Sequence, residues 1–320
     1  MCKSLVSIII PTYNRAHLLG ATLDSVMVQS YQNWECFVVD DGSSDATDDL
    51  MEFYCAKDNR IHFYHLPKKR RKGANACRNY GFELSKGEYL QWFDSDDLMV
   101  PEFLELKVKA IQENEVDFVI SRAANFKDPV PSNIISENKE YYRFSKFKIN
   151  HYNYVVQNVN WLTYDFLGKR ELCEKVRFNE KLQSAQERNF FSKLTSLSIK
   201  AFILPEYLTL RRVHETSIQA RFENNRQLKD REQLEFYYET WKDLLNSSNE
   251  ASLLYLFDEA IKFTLRLRAP AYIIKGLTLG FIKKGELTAA YWYLIFQVSS
   301  RTFNKGYIFR RKFLNQYKVV

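Results

Sequence analysis

The chain has 320 residues, enough for one large domain or a catalytic domain with an appendage, and its 46% apolar content is that of a folded protein. The net charge of +7 is unevenly spread: from position 261 on, twelve Lys and Arg residues face a single acid, Glu286, a balance of +11 that leaves the preceding part at −4. Such asymmetry points to one basic end and argues against a generally nucleic-acid-like charge, and no nucleic-acid partner is expected. Five scattered cysteines without paired spacing exclude a disulfide framework and a zinc site, and fit reduced thiols in the cytosol. Met1 to Ser4 leads straight into a strand, so no signal peptide is expected, and no apolar run approaches the ~20 residues of a spanning helix.

Leu5 to Ile10 is a continuous apolar run, read as a buried strand stopped by Pro11-Thr12-Tyr13-Asn14, with Asn14 placed to cap the helix that follows. Cys36 to Val39 predicts a second strand ending in Asp40-Asp41-Gly42-Ser43-Ser44, before a helix rich in acids near its start (Asp45, Asp48, Asp49). Ile61 to Leu66 is a third strand, followed by a basic loop, Lys68 to Gly73, read as solvated. A helix over Asn75 to Leu84 is expected to stop at Gly87 in a left-handed cap. Tyr89 to Phe93 is a buried strand with Asp94, Asp96 and Asp97 crowded at its carboxyl end. Three carboxylates there repel one another unless a divalent cation with oxygen ligands neutralises them; as a plain loop, Ser95 or Asp97 would instead cap the next helix. That helix opens near Pro101, and a strand over Val116 to Ser121 follows. Strands alternating with helices predict an α/β fold with a mainly parallel, doubly wound sheet, whose ligands sit beyond the carboxyl ends of the strands.

From Lys127 to Asn160 the pattern dissolves into a long variable loop or lid. Order returns at Trp161 to Leu167, then a helix beginning near Gln186-Glu187, strands over Ala201 to Leu204 and Tyr207 to Arg212, and helices beyond Thr216. The expected division is residues 1–215 as the catalytic domain and 216–320 as a helical, basic region. In that region bases alternate with apolar and aromatic residues, as around Trp292 and at Phe309-Arg310-Arg311-Lys312-Phe313. A membrane interface with anionic lipid is the favoured reading; a helical bundle with a charged outer face has the same composition.

Five stretches in this order, Val6 to Arg15, Val38 to Asp45, Cys77 to Gly81, Gly87 to Tyr89 and Asp94 to Asp97, resemble the family 2 glycosyltransferases, inverting enzymes of the GT-A nucleotide-sugar-binding fold. The resemblance implies transfer of a hexosyl or N-acetylhexosaminyl group from a nucleoside-diphosphate donor to a hydroxyl of a glycan or lipid-linked glycan, in the making of bacterial surface polysaccharide such as capsule or lipopolysaccharide. It implies that Thr12, Tyr13, Asp40, Arg78 and Ser95 line the nucleotide site. Asp40 would accept the imide N–H of a pyrimidine, which favours a UDP-sugar, and Arg78 would reach phosphate oxygens. Asp94 and Asp96 match the family's Asp-x-Asp signature for Mn²⁺ or Mg²⁺, with Asp96 the direct ligand and His214 a further approach to the metal or diphosphate. Glu187 stands where the family keeps its base, although position 186 is Gln where the commoner pattern has an acid. Trp161 is a candidate to stack on the acceptor sugar, or a core residue. The implied location is cytoplasmic and peripheral, at the inner face of the plasma membrane. Two other readings remain. A nucleotidyltransferase would show a glycine-rich loop after its first strand, which Pro11 to Asn14 is not; an inactive domain acting as a membrane scaffold would have no need of Asp94, Asp96 and Glu187.

Overall fold

The computed structural model describes residues 4–127, 134–137, 139–213, 225–302 and 306–317. It divides into two compact units, Met1–Ser217 and Ile218–Val320.

Among the described residues, the first unit is built on one nine-stranded sheet. Strands β1 (Val6–Thr12), β2 (Trp34–Asp40), β3 (Ile61–His65) and β4 (Tyr89–Trp92) lie in the order β3-β2-β1-β4, all parallel. They are linked by α1 (Ala16–Met27), α2 (Thr47–Lys57) and α3 (Ala74–Leu84). Every residue of β1 is buried, as a central parallel strand covered on both faces requires. The chain then runs through β5 (Leu98–Met99), α4 (Phe103–Asn114), β6 (Phe118–Phe126), β7 (Ile134–Glu137), α5 (Lys139–Tyr142) and α6 (His151–Val155). A short 3₁₀ turn at Thr163–Asp165, β8 (Phe166–Lys169), α7 (Arg170–Cys173), α8 (Gln186–Leu197) and β9 (Ala201–Arg212) complete the unit. Beyond β4 the sheet is mixed: β8 pairs antiparallel with β4 and β6, β6 runs parallel to β9, and β5 closes the edge against β9. The doubly wound parallel part is therefore the β3-β2-β1-β4 half. The two strands expected over 201–204 and 207–212 are one, β9, with a register shift against β6 between Ile120 and Arg122.

Register brings the carboxyl ends of these strands into line. Thr12 pairs with Asp40, while β1 and β4 stay paired only to Ile9 and Trp92, with the Phe93 N–H donating to the Ile9 carbonyl. Pro11 lies past that last pair, so its missing N–H breaks no bond to β4. The strand order reverses here, and the gap between the ends of β1 and β4 is the crevice of such a sheet.

Two expectations about helix ends are corrected. Asn14 does not cap α1: it adopts φ 49° and its Oδ1 accepts the Ser44 N–H, tying the β1 loop to the β2 loop. The Ala16 N–H donates instead to Asp45 Oδ2. Gly87 is not a left-handed cap either, since α3 ends at Ser85 in extended geometry. Gly87 is needed for closeness: a Cβ there would lie 2.4 Å from Ser7 Oγ and 2.6 Å from the Ser7 nitrogen. The segment expected to be a loop or lid is anchored where it is described. Tyr142 and Tyr154 are buried, and the Tyr142 hydroxyl donates to Asp165 Oδ1. Aromatic side chains supply the apolar area that turns this stretch inward. Neither Ser95 nor Asp97 caps α4, whose N-cap residue is Glu102 and makes no side-chain capping bond.

The second unit consists, among the described residues, of five helices: α9 (Arg226–Asp243), α10 (Glu250–Thr264), α11 (Ala271–Lys283), α12 (Leu287–Thr302) and α13 (Tyr307–Gln316). Asn225 and Asn249 accept the N–H groups of Leu228 and Ser252 and so cap α9 and α10. Gly280 lets α11 close on its neighbours, since a Cβ there would lie 2.6 Å from the Phe257 ring and 3.0 Å from Trp241. Phe257, Phe281, Tyr293 and Phe313 form the aromatic centre.

Candidate functional site

The site lies beyond β1, β2 and β4, and α3 organises it. Asn75, Arg78 and Asn79 are all buried although polar, and their spacing puts them on one face of that helix. Asn75 Nδ2 donates to the Asn179 carbonyl at 2.7 Å; Asn79 donates to the Phe178 carbonyl and accepts the Phe178 N–H. These bonds pin the segment leading into α8, so α3 decides where Gln186 and Glu187 stand.

Arg78 is the hub. Its Nη2 donates to Asp94 Oδ1 at 3.0 Å and its Nη1 to Gln186 Oε1 at 2.8 Å. Gln186 donates in turn to the carbonyls of Leu182 and Gln183. The departure from an acid at 186 thereby has a local reason: a neutral amide accepts from the guanidinium while donating to carbonyls, which a carboxylate cannot do. Arg78 Nε is buried without a hydrogen-bond partner.

Burial pushes the Asp94 carboxyl above the usual range; Arg78 opposes the rise, and Asp96 and Glu187 add to it. Glu187, half-buried in the first turn of α8, is thus near enough to act on Asp94 electrostatically. Burial also raises Asp97 strongly, with Asp96 and Asp94 contributing. Asp97 is 3% exposed and its Oδ1 accepts the Arg212 N–H at 2.9 Å, while Arg212 Nε donates to the Asp96 carbonyl. Asp97 therefore fastens β9 under the acidic loop, which leaves Asp94 and Asp96 as the two carboxylates toward the crevice. Among the described residues no group of three or more His, Cys, Asp or Glu side chains is arranged to hold a metal. Two hard oxygen donors fit a cation that takes its other ligands from phosphates. Ser95 is buried beside them. His214 lies outside the described residues.

At the ends of β1 and β2 the structure redistributes the expected roles. Thr12 is buried and its hydroxyl has no hydrogen-bond partner, and Tyr13 is 54% exposed. Asp40 is 1% exposed and already committed: its oxygens accept the Gly42 and Ser43 N–H groups and the Ser43 hydroxyl, with His65 Nδ1 at 3.2 Å. These partners occupy both of its oxygens, so Asp40 shapes its own loop. The next residue, Asp41, has a buried Oδ1 without a partner. Burial raises its pKa, against the Gly73 N–H and Lys72. The expectation for Trp161 is corrected. It is 1% exposed, with Tyr154 4.1 Å and Phe191 5.7 Å from its ring, so no face is open to a sugar.

The sequence reading missed Asp41, Asn75 and Asn79. The paired Asn residues flanking Arg78 at helical spacing are a polar stripe where α3 should be apolar, and that was a usable signal. Which of two adjacent aspartates keeps a free oxygen carries no signature in one dimension.

A sheet of this order, with an Asp-x-Asp turn after β4 and an acid at the start of α8, defines a GT-A nucleotide-sugar-binding domain. The model of glycosyl transferase family 2 matches residues 7–194, well over half the chain, and the protein belongs to that family. An uncharacterized glycosyltransferase of Rickettsia bellii is 30% identical over 208 residues, 64% of this chain and 28% of its own. The Escherichia coli protein named UDP-Glc:alpha-D-GlcNAc-diphosphoundecaprenol beta-1,3-glucosyltransferase WfgD is 38% identical over 116 residues, 36% of this chain and 44% of its own. The chain thus spans less than half the length of these two relatives. The structure of Staphylococcus aureus TarS 1–349 in complex with UDP-GlcNAc superposes with a TM-score of 0.63 over 98% of this chain and 89% of that one, at 19% identity, a likeness of fold.

Proposed function

We propose that this chain transfers a sugar, with inversion, from a nucleoside diphosphate, UDP favoured, to a hydroxyl of a glycan or lipid-linked glycan in polysaccharide synthesis. The observation that carries the reading is the meeting of Arg78, Asp94 and Gln186-Glu187 from three separate elements beyond the sheet's switch point. The names of WfgD and of the TarS complex, both referring to UDP-linked sugars, support the donor class.

Asp94 and Asp96 would hold Mn²⁺ or Mg²⁺, which when bound counters the charge gathering on the departing diphosphate. The partnerless Asp41 Oδ1 accepts the imide N–H of a pyrimidine, with the Thr12 hydroxyl beside it satisfied by the nucleoside. Arg78, already drawn to Asp94, has its Nε left for a phosphate oxygen. Glu187 takes the proton of the acceptor hydroxyl as that oxygen bonds the anomeric carbon and the bond from that carbon to the phosphate oxygen breaks. The second unit meets the anionic inner face of the membrane: none of the described helices is long and apolar enough to cross it, and the unit combines basic with exposed apolar side chains.

Thermal shift with UDP, dTDP, GDP and CMP, each with and without Mn²⁺, tests the reading on wild type and Asp96→Ala. UDP at a hundredfold excess over its Kd stabilises the fold by about 2.7 kcal/mol. The expected result is a UDP shift that requires metal and disappears in Asp96→Ala. A shift that is indifferent to metal and to Asp96, or no shift with any nucleotide, refutes it.

A further inference from the structure

The second unit contains a pocket of about 550 Å³ remote in sequence from every residue of the carboxylate site. Its wall comes from the turn after α10, the last turns of α12 and the start of α13. Four arginines, Arg266, Arg268, Arg301 and Arg310, line it together with Gln297 and Tyr307, and no carboxylate does among the described residues. Arg301 is half-buried; one of its terminal nitrogens donates to the Ala269 carbonyl, and its Nε is buried without a partner.

Ordinary helix electrostatics account for part of this cluster. Arg266 and Arg268 follow the end of α10 and Arg301 is in the last turn of α12, where a cation suits the helix dipole. Arg310 is the exception. It sits in the first turn of α13, beside N–H groups that have no acceptor within the helix, at the end where a cation is disfavoured. That helix start has neither a side-chain cap nor an acid in its first turn. Four guanidinium groups and a helix N-terminus without a side-chain cap among the described residues line one space, a concentration of positive charge that favours an anion.

A second groove, about 330 Å³ and chiefly apolar, adjoins it between α11 and α12, and Gln297 and Arg301 line both. Its exposed walls are Leu279, Leu294 and Val298, 48%, 44% and 54% accessible, with Lys275 at the rim. We propose that pocket and groove together bind a lipid whose head is a terminal phosphate or diphosphate. The arginines take the phosphate oxygens as forked, charge-assisted bonds, and the groove takes the first part of the hydrocarbon chain. Charge complementarity selects the head; the continuity of basic pocket and apolar groove selects a lipid over a soluble ion. The inference deepens the reading of this unit as membrane-facing and is independent of the carboxylate site, none of whose residues takes part.

The full chain is tested by co-sedimentation with phosphatidylcholine vesicles doped either with phosphatidic acid, whose phosphate is terminal, or with phosphatidylserine at matched charge, and by calorimetry with inorganic pyrophosphate. Phosphatidic acid vesicles are expected to bind more tightly than phosphatidylserine vesicles. Arg266→Gln/Arg268→Gln, on an exposed turn that leaves the helix interiors untouched, loses about tenfold in affinity. Leu294→Ser/Val298→Ser also weakens capture, with each variant's Tm confirming a folded chain. The control Lys283→Gln/Arg311→Gln, outside both linings, keeps the preference between the two lipids. Equal capture by both lipids, weakened as much by the control as by the arginine pair, overturns the pocket while the membrane reading stands. Tight pyrophosphate binding without vesicle capture assigns the pocket to a soluble phosphorylated ligand and overturns the lipid. Self-association that is lost in Leu294→Ser/Val298→Ser makes a second copy the occupant of the groove. Absence of all binding overturns both the pocket and the membrane reading.

Discussion

Replacing Gln186 by Glu tests the account of the site most directly, because it restores the acid of the commoner family pattern. In the structure Gln186 is 7% exposed; its Oε1 accepts from Arg78 at 2.8 Å and its Nε2 donates to the Leu182 and Gln183 carbonyls at 3.2 and 3.3 Å. A carboxylate keeps the first bond and strengthens it, but loses both donated bonds and turns an anionic oxygen toward two carbonyls. With each long bond worth up to about 1 kcal/mol and the repulsion added, Gln186→Glu is expected to lose about 2 kcal/mol at pH 7.5. In a unit of this size that is roughly 4–8 °C in Tm. Burial and the two carbonyls hold the new carboxyl above its unfolded pKa, so between those two values the folded state binds the extra proton. The deficit therefore shrinks as pH falls toward 5, where a protonated carboxyl donates to one carbonyl again. Thermal and urea unfolding at pH 7.5 and 5.0 measure both effects. A variant as stable as wild type at pH 7.5, or more so, with no change in the gap at pH 5.0, refutes the argument. The carboxylate would then have captured the partnerless Arg78 Nε, and the carbonyl bonds would not be what holds residue 186.

Glu187→Gln should lower sugar transfer on the order of 10²–10⁴-fold while metal-dependent UDP binding persists, since only proton removal is lost; matched losses of turnover and binding would reassign Glu187 to a positioning role. Gly87→Ala drives a Cβ into the Ser7 nitrogen and Oγ, where strand backbone cannot give way, and should cost about 3 kcal/mol by urea unfolding. A neutral result would show that β1 and β4 separate freely. Asp45→Ala should cost about 1 kcal/mol by removing the acceptor of the Ala16 N–H and of Thr47. Burial raises the Asp45 pKa, but those hydrogen bonds outweigh it and leave it lowered. Its contribution is therefore complete above an unfolded pKa of about 3.9 and fades as pH falls through the folded value, so the two melting curves should converge only in acid.

Much of this protein is legible in one dimension. Apolar runs over Leu5–Ile10, Cys36–Val39 and Tyr89–Phe93, separated by helical periodicity, point to an alternating α/β sheet, because buried parallel strands are mostly apolar and their carboxyl ends carry the polar residues. The crowding of Asp94, Asp96 and Asp97 after an apolar run is visible in residue type, whereas Glu187 stands out only through the resemblance to the family 2 glycosyltransferases. The tertiary structure decided which polar groups are already satisfied. Asp40 and Asp41 are the same residue type side by side, yet only the folded loop shows that Gly42 and Ser43 consume the first and leave an oxygen of the second without a partner. Trp161 fits a core as well as a sugar platform until the rings of Tyr154 and Phe191 are seen to flank it. The four arginines that line the second unit's pocket are spread over 45 positions, and their meeting depends on how α10, α12 and α13 pack, which no local pattern encodes. Hydrogen bonding and charge are sums over neighbours in space; sequence determines the chemistry of each group, and packing determines which neighbours it has.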